Sequence, residues 1–171
     1  MLIEGASEGR GGARPLLGVL RGADAILYCH DAGAPVADLR AVIDEVSVAG
    51  IERPALIGAT KADQAEGTAL RAAFPALQVV EVSVLDDESL DRLRETLWRL
   101  TGLVRVYVRD GEDPVALRPP ARVVDVADSI HHDLGARCVG ARVWGTSARF
   151  DGQRVGRAHV LADGDSVEIL D

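Results

Sequence analysis

The residues best placed to do chemistry are Thr60-Lys61-Ala62-Asp63, set directly after the apolar run Leu56 to Ala59. One carboxylate can accept two neighbouring donors together, and a lysine can lay its alkyl stem along an apolar surface while its ammonium stays in water. Lys61 is the only lysine in the chain, every other basic side chain being arginine. That bias hints at a position arginine cannot fill. The plain alternative is a strand-to-helix loop in which Asp63 caps the helix. Ser83 follows the next apolar run, Gln78 to Val82, and a serine there reads by itself as a helix cap.

Other reactive side chains are less organised. His131, His132 and His159 suggest neither a metal nor an acid–base site, because paired histidines on successive helix positions point apart and no ligand follows at metal spacing. Arg142, Arg149, Arg154 and Arg157 could face RNA phosphates, but Asp151, Asp163 and Asp165 lie among them, so a mixed solvated surface is the better reading. Trp144 and the two separated cysteines, Cys29 and Cys138, read as core residues.

The elements that must position these residues follow from pattern. After a glycine-rich opening, a helix is expected from about Arg14-Pro15. Apolar runs at Ala25–His30, Pro54–Ala59 and Gln78–Val82 read as strands. Helical spacing recurs between and after them, at Leu39 to Val46, at Ala65 to Phe74, and from a Ser89 cap to Leu100. Alternation of this kind implies a parallel sheet covered on both faces, with ligands bound beyond the carboxyl ends of its strands. After Thr101-Gly102 the pattern changes to a mainly β module. It has an alternating strand from Leu103, one helix over Val123–Leu134, and short strands at Cys138–Val143, Arg157–Val160 and Ser166–Leu170.

The 171 residues are 47% hydrophobic and 27% charged, enough apolar material for packed cores. The formal net charge of −8 disfavours generic electrostatic binding of nucleic acid. No run approaches the roughly 20 apolar residues of a membrane span, and with no basic, signal-like start the expected location is the cytoplasm.

Thr60-Lys61-Ala62-Asp63 resembles the [N/T]KxD guanine-specificity motif of GTPases. Guanine offers an N1–H and an exocyclic amine that one carboxylate accepts together, and adenine has no such pair. The resemblance gives that role to Asp63, the base-covering role to Lys61, and to Thr60 the place most relatives give to Asn. Val82-Ser83-Val84 resembles the SAx loop, whose backbone N–H faces the guanine oxygen; Val84 stands for the usual Ala and adds bulk there. Leu2-Ile3-Glu4-Gly5-Ala6-Ser7-Glu8-Gly9-Arg10-Gly11 resembles switch II of Obg-like and developmentally regulated GTP-binding proteins, which makes Glu4, Gly5, Gly9 and Gly11 switch-like positions.

The second half resembles the family more specifically. Leu103 to Tyr107, Ile130-His131-His132-Asp133-Leu134, Ala141 to Ser147 and Gln153 to Leu161 look like the TGS domain of developmentally regulated GTP-binding proteins. The expected fold class is therefore α/β: a partial Ras-like G domain at 1–101, with three parallel strands and flanking helices, then a ubiquitin-like β-grasp TGS domain at 102–171. The implied function is a GTP-binding protein acting in ribosome-linked regulation, with GTP or GDP as ligand and a ribosomal, RNA or protein partner on the TGS domain. The alternative is a non-enzymatic interaction module with a vestigial G half. No GxxxxGK[ST] phosphate loop occurs, so no residue is assigned to catalysis. Hydrolysis and Mg2+ are expected only in a full-length parent, whose missing half should lie beside Ala25–His30. The inserted domain that relatives carry has no room between Gly33 and Ala59.

Overall fold

The computed structural model describes residues 14–109 and 113–171. The switch-like positions Glu4, Gly5, Gly9 and Gly11 lie outside the described residues. The chain divides between Thr101 and Gly102 into two compact units.

The first unit runs α1 (Arg14–Gly22), β1 (Ile26–Asp31), α2 (Val36–Val48), β2 (Ala55–Thr60), α3 (Thr68–Ala73), β3 (Gln78–Val82) and α4 (Asp87–Thr101). Its three strands pair in parallel in the order β1-β2-β3. Alternation along β2 sends Ile57 and Ala59 to one face, where Leu39 of α2 and Leu70 of α3 cover them. Leu56 goes to the other face with Val80 and Val82, packed against Leu90, Leu93, Leu97 and Leu100 of α4. Leu17 of α1 closes a smaller cluster with Ile26, Val46 and Ile51. Among the described residues, no strand pairs with the outer edge of β1.

Three expectations for this unit need correction. The helix predicted over Ala65–Phe74 begins only at Thr68, because Ala62 to Gln64 form a turn and the Gly67 N–H is taken by Glu81 Oε1 at 2.7 Å. Ser89 does not cap α4; it lies buried inside the first turns, and Asp86 Oδ1 receives the Glu88 N–H at 3.1 Å in the capping role. Cys29 is exposed rather than core, since it alternates with Tyr28, which faces the α2 side.

The second unit comprises β4 (Val104–Val108), β5 (Val115–Leu117), α5 (Val123–Ile130), α6 (His132–Arg137), β6 (Gly140–Trp144), β7 (Gln153–Gly156) and β8 (Ser166–Leu170). The strand order is β5-β4-β8-β6-β7, with β8 running parallel to β4 and antiparallel to β6. One core unites Val106, Ala141, Val143 and Val167 from the sheet with Val123, Val126 and Ala127 from α5.

Here too the pattern reading needs amending. The expected single helix over Val123–Leu134 is two helices, broken where His131 is extended at φ −161° and its Nδ1 accepts the Asp133 N–H at 3.2 Å. A side chain that satisfies the backbone locally competes with helix continuation. Arg157–Val160 is not a strand, because the Val123 and Val124 N–H groups opening α5 bond to the carbonyls of His159 and Arg157. Antiparallel pairing with β6 instead falls to Gln153–Gly156. Trp144 is only half-buried, at an outward position after the buried Val143, and the short strand β5 was not anticipated.

Candidate functional site

Three parallel strands end at one edge of the first sheet, and the loops that follow them carry the candidate residues. Register places Asp31 beside Thr60 and Thr60 beside Val82. Thr60 Oγ1 donates to His30 O at 3.1 Å, tying the end of β2 to the end of β1. The chain then turns sharply at Lys61, a non-glycine residue at φ 57°. Such conformations are uncommon outside glycine and cluster at functional sites. The turn is closed by the Gln64 N–H donating to Lys61 O at 2.9 Å and the Ala62 N–H donating to Val82 O at 3.2 Å.

Lys61 Nζ lies 2.7 Å from Asp31 Oδ2, and Asp31 Oδ1 accepts the Gly33 N–H at 2.9 Å. The hydrogen bond to Lys61, then that from Gly33, holds the Asp31 carboxyl below its ordinary range, while the bond to Asp31 raises the Lys61 ammonium. The pair is exposed to solvent, so its worth is in geometry. Asp31 fixes the direction in which the only lysine leaves the loop.

Asp63 and Ser83 meet across two loops. Ser83 Oγ donates to Asp63 Oδ1 at 2.6 Å and accepts the Leu85 N–H at 3.1 Å. The Ser83 N–H donates in turn to Ser89 Oγ at 3.0 Å, so α4 braces the loop. The bond from Ser83 is the main reason the Asp63 carboxyl titrates below its ordinary range. A carboxylate has about four acceptor positions, so this bond orients Asp63 without exhausting it. Val84 and Leu85 are 84% and 81% exposed. The Val84 N–H makes no hydrogen bond to the described residues. Lys61, Asp63, Gln64, Val84 and Leu85 line a cleft of about 530 Å³, within the range of small-molecule sites.

A second cleft of about 570 Å³ lies along β3, but its arginines are spoken for: Arg71 by Glu81, Arg92 by Asp86 and Arg99 by Glu95. Among the described residues no group of His, Cys, Asp and Glu is arranged to hold a metal. His159 Nε2 sits 3.0 Å from Ser147 Oγ, far in sequence from the His131 turn. No helix among the described residues is long and apolar enough to cross a membrane.

The five residues Thr60, Lys61, Asp63, Ser83 and Val84 thus share one edge, and Asp31, Gln64, Leu85 and Ser89 join them. Asp31 was hidden in sequence because its partner Lys61 lies 30 residues away and only parallel register brings them together.

Residues 104–171 match the TGS domain family. The chain is 26% identical to an uncharacterized GTP-binding protein of Halobacterium salinarum, covering 99% of this chain and 68% of that protein. The aligned stretch is 250 positions long against 171 residues here, so the relative holds segments this chain lacks. It is 32% identical to Developmentally-regulated G-protein 3 of Arabidopsis thaliana over 75% of this chain, and 33% identical to Ribosome-interacting GTPase 1 of Saccharomyces cerevisiae over 68%. It spans only 37% and 34% of those two proteins. The chain therefore carries a TGS domain in its second unit and is a sequence relative of the developmentally regulated GTP-binding proteins.

Proposed function

We propose that the first unit is the guanine-reading part of a Ras-like G domain, and that its sheet edge binds the base of GTP or GDP. The observation that carries this reading is the 2.6 Å bond by which Ser83 orients the Asp63 carboxylate. It leaves a fixed, ionised acceptor beside an exposed apolar rim and a Val84 N–H that makes no hydrogen bond to the described residues. Asp63 accepts the N1–H and exocyclic amine of guanine, the Val84 N–H meets its carbonyl oxygen, and the Lys61 stem and Leu85 cover its faces. Adenine presents neither the donor pair nor the carbonyl. In this reading the TGS unit serves partner contacts in ribosome-linked regulation; the Saccharomyces relative is named as ribosome-interacting. No phosphate loop of the form GxxxxGK[ST] occurs in the 171 residues, and no phosphate or Mg2+ ligand is proposed among them.

Titration of the chain with GDP and with ADP, read by amide chemical shifts, tests this. GDP should move the signals of Asp63, Val84 and Leu85, ADP should not, and Asp63→Ala should abolish the response. Equal responses to the two nucleotides, or none to GDP at millimolar concentration, would overturn it.

A further inference from the structure

Three strand ends share the edge of the first sheet, and in the function proposed above only β2 and β3 supply groups to the base. Register sets Asp31 of β1 beside Thr60, and Thr60 beside Val82. Neighbouring strands lie roughly 5 Å apart, so Asp31 stands about 10 Å across the edge from Val82. The glycosidic nitrogen of guanine is at the end of the purine away from its N1–H and carbonyl. A base held by Asp63 and Val84 therefore sends its sugar away from β3. The Lys61 stem, which covers that base, runs towards β1, and its ammonium ends 2.7 Å from Asp31 Oδ2.

Asp31 is oriented but not saturated. A carboxylate has about four acceptor positions. Lys61 Nζ occupies one on Oδ2, and the Gly33 N–H occupies one on Oδ1 at 2.9 Å. The others lie on a side chain that stays 35% exposed. The chain beyond it is small and turns back, with Gly33 exposed and the Ala34 N–H donating to Asp31 O at 3.0 Å. Unfilled carboxylate positions call for donors. A phosphate supplies none when fully ionised and is repelled by like charge, whereas a sugar hydroxyl is neutral and donates.

We propose that Asp31 reads the sugar of the bound nucleotide, its carboxylate accepting a hydrogen bond from a ribose 2′- or 3′-hydroxyl. The edge then selects guanine ribonucleotides over analogues that lack those hydroxyls. This role rests on the guanine reading above and extends it from base to sugar. Lys61 serves both parts, its stem covering the base and its ammonium fixing the direction of Asp31.

Amide shift titration of the full chain with GDP, 2′,3′-dideoxy-GDP and ADP tests it. GDP should bind about three- to tenfold more tightly than its dideoxy analogue, the worth of one hydrogen bond to a partly exposed charged group. Asp31→Ala should bring that ratio to one. Releasing Lys61 alters the affinity for both analogues alike, so the ratio isolates the hydroxyl contact. Lys61→Met keeps the stem and leaves Asp31 its bond from Gly33; it should weaken both nucleotides and preserve the ratio. The amide spectrum of each variant reports its fold, and the ratios for the native chain and Lys61→Met decide the matter even if Asp31→Ala unfolds. Suppose GDP is preferred to ADP. The role of Asp31 is then overturned, and the guanine reading kept, if the dideoxy analogue binds as tightly as GDP, if the preference for GDP over it survives Asp31→Ala, or if that preference vanishes with Lys61→Met. If ADP binds as tightly as GDP, or GDP does not bind, the guanine reading fails and the sugar contact falls with it.

Discussion

The two units solve the problem of burying a sheet in different ways. In the second, one face of five strands is sealed by α5 and α6, so a single core joins Val106, Val126, Val143 and Val167. In the first, three strands must be covered on both faces, and the buried residues fall into three small clusters around Leu39, Val46 and Leu56. β1 there has one paired edge among the described residues and an exposed Cys29. A sheet sealed on one side can leave the other free for partners. A thin parallel sheet instead concentrates its polar groups at the ends of its strands, where the candidate site lies. The second unit thus holds one continuous core, and the first holds several small clusters and the candidate site.

The sharpest way to break this contrast is in the cores. Leu56 is fully buried between β3 and α4, and Leu56→Ala should cost about 2–5 kcal/mol. Calorimetry should show the transition of the first unit lowered or lost and that of the second unchanged. If both fall together, the units are not separate. Somewhat smaller is Asp165→Ala in the second unit. This fully buried carboxylate accepts N–H groups from Ala162 at 2.8 Å and Ser147 at 3.4 Å, and Gly145 at φ 127° approaches too closely for any side chain there. Losing it should cost about 1–3 kcal/mol and lower only the second transition.

The smallest effect tests the site itself. Asp31 and Asp63 both titrate below the ordinary aspartate range. A carboxylate depressed on folding contributes stability that is present above its unfolded pKa and lost as pH falls through the folded value. The first unit should therefore weaken only in acid, below the ordinary aspartate range. Ser83→Ala should return the Asp63 midpoint towards its ordinary value, leave Asp31 depressed, and hardly change stability, as followed by carboxyl carbon shifts against pH.

Much of this division is legible in sequence, for reasons visible in particular residues. Leu90, Leu93, Leu97 and Leu100 keep helical spacing over their whole length, and α4 follows them. The loops of Thr60–Asp63 and Ser83 declare themselves because they end apolar strands. What was not legible depends on which partner a polar group finds, whether near in sequence or far from it. His131 ends α5 through a bond to Asp133, and Arg157 and His159 give their carbonyls to α5 where pattern suggested a strand. Trp144 turns outward by its place in the pleat and meets Arg109, 35 residues earlier. Asp31 joins Lys61 only through strand register.

The central claim is that Asp63 reads guanine through two accepted hydrogen bonds. The most direct measurement compares GDP and XDP binding to the native chain and to Asp63→Asn by amide shift titration. Xanthine keeps N1–H but replaces the amine donor with an oxygen acceptor, which an asparagine amide can satisfy. The native chain should prefer GDP, and Asp63→Asn should reverse the preference by about ten- to hundredfold, the cost of leaving a polar group unpaired. A variant that stays folded and keeps the native preference would contradict the assignment of Asp63.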